Sequence, residues 1–248
     1  MNEPLSLEEM ALMRKSGKVA SKILRAMSSF IKPGLTTKDI EVFFEKELEK
    51  YPGMEPAFKG FMDYPAALCV SVNEEVIHGI PSQRRISNGD VVSVDLGIKY
   101  KGLFVDTART YLIGKTSALA HKLVRVSLKS LCVGISKARA GNLLGEVSSI
   151  IQKTVESNGF SVIRRFVGHG IGRALHVPPE VPNFGEKSDG PKLCSGFALA
   201  IEPMVSAGSC EVEIMDDGWT AKTQDGSLAA HFEHTVAITN HGPWILTK

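Results

Sequence analysis

Asp95-Leu96-Gly97-Ile98-Lys99-Tyr100-Lys101-Gly102-Leu103-Phe104-Val105-Asp106 reads as a β-hairpin with a carboxylate at each end. The flanking runs Val91 to Asp95 and Leu103 to Asp106 are apolar and strand-like, and Gly102 supplies the backbone freedom a tight turn needs. A turn at Tyr100-Lys101 gives cross-strand partners whose numbers sum to 201, so Asp95 is expected opposite Asp106. Like charges so placed repel. The pair persists with a cation, a shared proton or solvent between the carboxylates. Two exposed strand-end aspartates are the alternative that this segment alone leaves open.

Working outward, Ser6 and Glu9 form a capping-box pattern. Met10, Met13, Val19, Ile23 and Met27 recur near a helical period, which predicts a helix from about Leu7 to Ser29. Pro33-Gly34 breaks it, and Thr36-Thr37 open a second helix that stops at Pro52-Gly53. Strands are expected at Leu68 to Val72 and in the hairpin. The order then repeats: helices over Ser117 to Ala140 and from Leu143 to Asn158-Gly159, then strands at Ser161 to Val167, Phe197 to Glu202 and Phe232 to Thr239. Gly34 and Gly141, Asp39 and Glu146, and Asp95 and Glu202 are each 107 positions apart. One offset for helix breaker, helix charge and strand-end carboxylate suggests an internal duplication. The expectation is a single catalytic domain over 1–248, with α+β halves of about 7–115 and 116–248. The longest loop-like stretch is Val181 to Lys192.

The chain has 248 residues, 29 Lys+Arg against 27 Asp+Glu, and 43% hydrophobic residues. These values exclude a disordered chain, a coiled coil and a collagen-like repeat. The near-neutral charge argues against a dedicated nucleic-acid binder. Cys69, Cys132, Cys194 and Cys210 form no CxxC pair, so neither a thiolate zinc site nor a disulfide framework is expected. The acidic start MNEPLSLEEM lacks the apolar core of a secretory signal. Lys122, Arg125 and Lys129 interrupt the most apolar helix, so no membrane span is expected. A cytoplasmic location follows as the default expectation.

Phe166-Val167-Gly168-His169-Gly170-Ile171-Gly172 runs from an apolar strand into a histidine flanked by glycines, with His176 seven residues after His169. A phosphate-binding Rossmann loop would need Gly at Arg173 and a following helix, which Val177-Pro178-Pro179 forbids. Ala200-Ile201-Glu202-Pro203 and His231-Phe232-Glu233-His234 each place a Glu in an apolar strand, where an unpaired carboxylate costs several kcal/mol. Asp95, Asp106, His169, Glu202 and Glu233 together make four carboxylates and one imidazole. Such a set can hold two divalent cations about 3.5–4 Å apart. Its hard oxygens favour Mn, Fe, Co or Mg over copper or a thiolate-type zinc site.

SVNEEVIHGIP, DLGIKYKGLFVDTART, GHGIGRALH, IEPMV and DGWTAKTQDGSLAAHFEHT together resemble type I methionine aminopeptidases, from about Leu7 to Thr239 and in the family's order. The resemblance implies the pita-bread α+β fold: two pseudo-symmetric α+β halves around a central antiparallel sheet. His169 and Glu202 are 33 residues apart, too few for the helical insertion of the type II enzymes. The implied activity is removal of initiator methionine from nascent proteins whose second residue is small, by metal-activated hydroxide attack on the first peptide bond. The implied cofactors are two divalent ions per chain, drawn from Co, Mn, Fe, Zn and Mg.

The roles follow residue by residue. Asp95 would chelate one ion, Asp106 and Glu233 would bridge both, and His169 and Glu202 would complete the other. Glu202 would also shuttle a proton to the leaving amine. His176 would hydrogen-bond the scissile carbonyl oxygen as charge develops, and His78 would lie near the peptide nitrogen and substrate backbone. Tyr64, Cys69, Trp219 and Phe61 would form the methionine pocket. Phe61 stands where a Tyr is frequent and Leu175 where a Phe is frequent, so both bear on fine selectivity. A Cys69–His78 thiol protease lacks an oxyanion or third-residue pattern. His121, His231, His234 and His241 match no catalytic position, and Arg164-Arg165 reads as a solvated strand edge.

Two other readings compete. A proline-specific peptidase of the same fold usually carries a large extra N-terminal domain, whereas six residues precede the first helix here. A non-catalytic binding protein would not need all five ligand types. The expected partners are nascent N-termini beginning with Met and a transient ribosome contact through the domain's own surface. No specific nucleic acid, no membrane and a monomeric state complete the expectation.

Overall fold

The structure, a computed structural model, describes residues 3–248. Among the described residues every strand pairing is antiparallel. Helix α1 spans Leu7–Phe30. The Ser6 hydroxyl accepts the Glu9 N–H, and the Glu9 carboxylate accepts the Ser6 N–H, which satisfies two donors that the first helical turn leaves free. Helix α2, Thr37–Leu48, is opened the same way by Thr36 and Asp39. Ser117 caps α3, Ala118–Lys137. At α4, Leu144–Glu156, Leu143 offers no hydroxyl, but Glu146 still accepts the Leu143 N–H at 3.3 Å.

The 107-residue offset recurs in the backbone. Gly34 and Gly141, at φ 95° and 96°, both take the left-handed conformation that favours glycine. Asp39 and Glu146 both fill the third position of a helix. Isolated bridges Thr36–Arg85 and Leu143–Lys192 keep the same spacing.

The first sheet centres on strand Val91–Tyr100, which pairs with Cys69–Val72, Leu103–Leu112 and Met54–Pro56. The other large sheet runs Gly242–Ile245, His234–Thr239, Ala198–Ile201, Gly168–Ile171, Val177–Val181. Two three-stranded sheets complete the α+β architecture. Helices α1 and α2 cover the first sheet through Met13, Ile23, Ile40 and Phe44, and α3 and α4 cover the second core through Leu123, Leu131 and Ile151. All seven side chains are fully buried, which stabilises the fold by about 1.5–3 kcal/mol each before entropy is counted.

The hairpin turns one residue later than expected. Lys101 and Gly102 form a two-residue loop with φ of 51° and 77°, the left-handed pair that matches strand twist in a type I′ turn. Asp95 therefore faces Ala108, and Asp106 faces Gly97. Side chains alternate faces with period two, so the register shift leaves Asp95 and Asp106 on one face as diagonal neighbours.

Other boundaries move as well. The stretch expected as one strand over Ser161 to Val167 keeps only Ser161–Val162, and His169 lies inside the next strand, Gly168–Ile171, rather than after a strand. Phe232 to Thr239 is not continuous either. Ala229–His231 and His234–Thr239 belong to different sheets, and Glu233 sits in the break.

That break lies against the strand Leu103–Leu112. The Thr107 hydroxyl donates to the Glu233 carbonyl at 2.8 Å, and the Glu233 N–H donates to the Ala108 carbonyl at 3.0 Å. The Thr110 hydroxyl accepts the His231 N–H at 2.9 Å and donates to the His231 carbonyl at 2.8 Å. Threonine hydroxyls thus do the pairing where two strands do not form a regular ladder, and they set Asp106 beside Glu233.

Candidate active site

Four segments deliver the charged cluster. Asp95 and Asp106 come from the hairpin, Glu233 from the break, and Glu202 from just past strand Ala198–Ile201. His169 comes from Gly168–Ile171, whose neighbours press against it closely. A Cβ on Gly168 would meet the Ala200 carbonyl at 2.3 Å, and one on Gly170 the Pro178 carbonyl at 2.6 Å. The glycines therefore let strands, not a ligand, approach. A register shift at His169/Gly170 turns the imidazole into the cavity.

His169 Nδ1 lies 3.0 Å from the Gly170 carbonyl. The proton is therefore assigned to Nδ1, which leaves the Nε2 lone pair facing the cluster. Nε2 is 3.6 Å from Glu202 Oε1. Ligand atoms of Asp106, His169 and Glu233 all fall within 4.8 Å of one another. Asp95 Oδ1, Asp106 Oδ1 and Glu233 Oε1 are buried with no hydrogen-bond partner among the described residues.

Burial sets the electrostatics. It lifts Asp95 far above the carboxylate range, helped by Asp106, and lifts Glu233 likewise, helped by Asp106, Glu202 and Asp95. Burial, with Asp106, also raises Glu202. Asp106 is pushed up by burial to about 7, with a hydrogen bond from Asp95 opposing. Burial holds His169 down at about 3, with the His176 imidazole contributing. Four carboxylates that resist ionisation and an imidazole that stays neutral lack a positive partner. A lone pair and three orphaned oxygens in one buried cluster are what divalent cations satisfy. The donor set therefore fits hard divalent ions.

The cluster opens into a cavity of 310 Å³. Tyr64, Cys69, Trp219, Phe61, His78 and His176 line it together with all five cluster residues, so every sequence-predicted site residue reaches one space. The Tyr64 hydroxyl donates to the Gly79 carbonyl at 3.1 Å, and its ring meets Trp219 edge-on at 5.1 Å. Trp219 is set by a turn in which Asp217 accepts the N–H groups of Trp219 and Thr220. Cys69 pairs with Asp95 across the sheet. Burial and Asp95 push its thiol well up, the reverse of an activated thiolate, so the structure gives no support to thiol chemistry.

His176 is exposed at the rim, 4.0 Å ring to ring from His169, with Phe61 edge-on at 5.0 Å. His78 takes a left-handed backbone, φ 59°, and contacts Phe166 and Trp219 edge-on. Leu175 and Phe61 are cavity walls. Arg173, beyond the glycines, grips both Glu9 carboxylate oxygens at 2.7 and 2.8 Å, which ties the loop before His176 to the start of α1.

Two side chains were invisible to motif reading. His231, grouped above with histidines of no catalytic position, is 1% exposed and its Nε2 lies 3.6 Å from Glu202 Oε2. Asn183 is fully buried and donates to the Glu202 carbonyl at 3.0 Å. Neither contact has a local sequence signal, because both are made across the fold. Arg164-Arg165 is a bend rather than a strand edge, and Arg165 stands at the cavity mouth.

Residues 11–240 match the model of metallopeptidase family M24. A methionine aminopeptidase of Clostridium perfringens is 49% identical over 239 residues, covering 96% of each chain. Methionine aminopeptidase 1 of Bacillus subtilis is 43% identical, covering 97% of this chain and 96% of its own. The crystal structure of a methionine aminopeptidase from Thermotoga maritima superimposes over the whole of both chains with a TM-score of 0.98 and 47% identity. A prolidase from Pyrococcus furiosus shares the fold at 22% identity, with a TM-score of 0.81 and 65% of its length covered.

Proposed function

The chain belongs to metallopeptidase family M24, and from that membership we propose that it is a metal-dependent aminopeptidase that removes N-terminal methionine from chains whose second residue is small. One observation carries the reading: a single cavity joins the carboxylate–imidazole cluster to a wall of Tyr64, Cys69 and Trp219. Likeness to methionine aminopeptidases over nearly the full length supports it.

We assign Asp95, Asp106, His169, Glu202 and Glu233 to hold two divalent ions. Bound there, such ions make water a nucleophile near neutral pH and polarise the scissile carbonyl. The chain's own residues do the rest. Tyr64, Cys69, Trp219 and Phe61 take the methionine side chain. His176 donates a hydrogen bond to the carbonyl oxygen as it becomes anionic. His78, fixed by Phe166 and Trp219, orients the peptide nitrogen. Glu202 receives the proton of the attacking water and passes it to the leaving amine. The substrates are nascent N-termini beginning with Met, met in the cytoplasm and near the ribosome by a monomer. Among the described residues no helix is long and apolar enough to cross a membrane.

The test is hydrolysis by metal-loaded protein of Met-Ala-Ser against an Ala-Pro peptide. Methionine release from the first alone is expected. Cleavage of the Ala-Pro peptide in preference would move the chain to the proline-specific branch, and cleavage of neither would contradict an enzyme.

A further inference from the structure

Glu202 lies between two imidazoles. His169 Nε2 faces its Oε1 and His231 Nε2 faces its Oε2, each at 3.6 Å. The two histidines differ in what holds them. His169 is reached from the cavity, whereas His231 is not among the residues that line it. His231 is 1% exposed, and its Nε2 has no hydrogen-bond partner among the described residues. An orphaned buried ring nitrogen is costly, and it stands beside a carboxylate oxygen that has no other donor among the described residues.

The backbones of both residues are fixed. Thr110 grips the His231 N–H and carbonyl, and the register sets His231 against Met204, two residues beyond Glu202. Asn183 holds the Glu202 carbonyl. Only the two side chains are left to adjust, and a closing movement of a few tenths of an ångström makes the 3.6 Å Oε2 contact a hydrogen bond.

We infer that His231 is a positioning residue: its Nε2–H holds Glu202 Oε2, so that Oε1 stays turned toward His169 and the cluster. It touches neither substrate nor ion. The inference rests on the assignment of Glu202 as a metal ligand. Donors that orient ligating carboxylates are worth about 10–100-fold in metal affinity.

The experiment compares wild type with His231→Gln, His231→Leu and His231→Asn. Mn2+ affinity of the chelator-stripped proteins is measured by calorimetry, with melting temperature without metal and kcat and KM on Met-Ala-Ser at saturating Mn2+. Gln carries an N–H donor on a side chain of comparable reach and is expected to bind Mn2+ as wild type does. Leu fills the space without a donor and is expected to bind about 10–100-fold more weakly, with kcat falling more than KM changes and no loss of metal-free melting temperature. Asn, a donor too short to reach, is expected to behave as Leu and serves if Leu does not fold. Wild-type affinity in Leu or Asn, or a Gln variant as weak as either, overturns the inference. A wild-type chain that takes up no Mn2+ overturns the metal assignment of Glu202 itself, and this inference with it.

Discussion

Thr235 holds Asp106 by both of its backbone groups: its hydroxyl accepts the Asp106 N–H and donates to the Asp106 carbonyl, each at 2.8 Å. Thr235 is fully exposed nowhere and lies wholly inside the fold. Thr235→Val keeps the shape and removes both partners. Each buried group left unsatisfied costs about 1–3 kcal/mol, so a drop of roughly that size per group is expected in urea unfolding, with weaker metal uptake. Thr235→Ser keeps the hydroxyl and should recover most of both. A Val variant as stable as wild type would show that the seam does not depend on this hydroxyl.

The metal-free protein should lose stability as pH rises. Burial raises Asp95, Asp106, Glu202 and Glu233, Asp106 to about 7, whereas unfolded carboxyls titrate near 4. At these carboxyls the folded state binds more protons than the unfolded one. His169, His231 and His234, held down by burial at about 3 to 4, act the opposite way below the unfolded imidazole value of about 6.5. The net fall in stability with rising pH is therefore expected above that value. Melting temperature of chelated protein is expected to be higher at pH 7 than at pH 8.5. Divalent ions displace those protons, so the gain on adding Mn2+ should grow with pH. A metal-free melting temperature that rose over the same range would contradict the electrostatics of the cluster.

His176 and His169 sit ring to ring at 4.0 Å yet should fail differently. His176 is at the rim and is assigned to the transition-state oxygen. His176→Ala should keep its metal content and melting temperature and lose about 10²–10³ in kcat with little change in KM. His169→Ala should lose bound metal along with activity. Elemental analysis with kcat and KM on Met-Ala-Ser separates the two, and loss of metal in His176→Ala would overturn its role.

Substrate scope divides between the pocket and the second residue. Met-Ala, Met-Ser and Met-Gly chains should be cleaved, and Met-Lys or Met-Phe spared. An apolar pocket discriminates a methylene by only about 1–3 kcal/mol, so exclusion of a large second residue must be steric. Trp219→Ala removes the wall against Tyr64 and should raise KM for Met-Ala-Ser more than it lowers kcat. Equal turnover of Met-Ala-Ser and Met-Phe-Ser would refute the steric limit.

What could be read from residues alone was what local chemistry decides. Ser6/Glu9 is legible as a helix start because capping joins residues three apart, and Thr36-Thr37 marks the next start, whereas the part of Asp39 in that cap shows only in the structure. The expected turn falls one residue early because Tyr100-Lys101 and Lys101-Gly102 both lie at a plausible reversal. Only the second gives two left-handed residues, and the error did no harm because it kept both aspartates on one face. The break at Phe232-Glu233 was hidden in a continuous apolar run. Its cause lies in Thr107, Thr110 and Thr235, whose hydroxyls act across the seam. His231 and Asn183 were illegible for the same reason, since their partner Glu202 is distant in sequence.

The most direct measurement is the initial rate of methionine release from Met-Ala-Ser by chelator-stripped protein as Mn2+ is titrated back without oxygen. No turnover in the stripped protein, and turnover that rises with Mn2+ and saturates, is the expected result. Full turnover in the stripped protein, or none with any of Mn2+, Co2+, Fe2+, Zn2+ and Mg2+, would contradict a metal-dependent methionine aminopeptidase built on Asp95, Asp106, His169, Glu202 and Glu233.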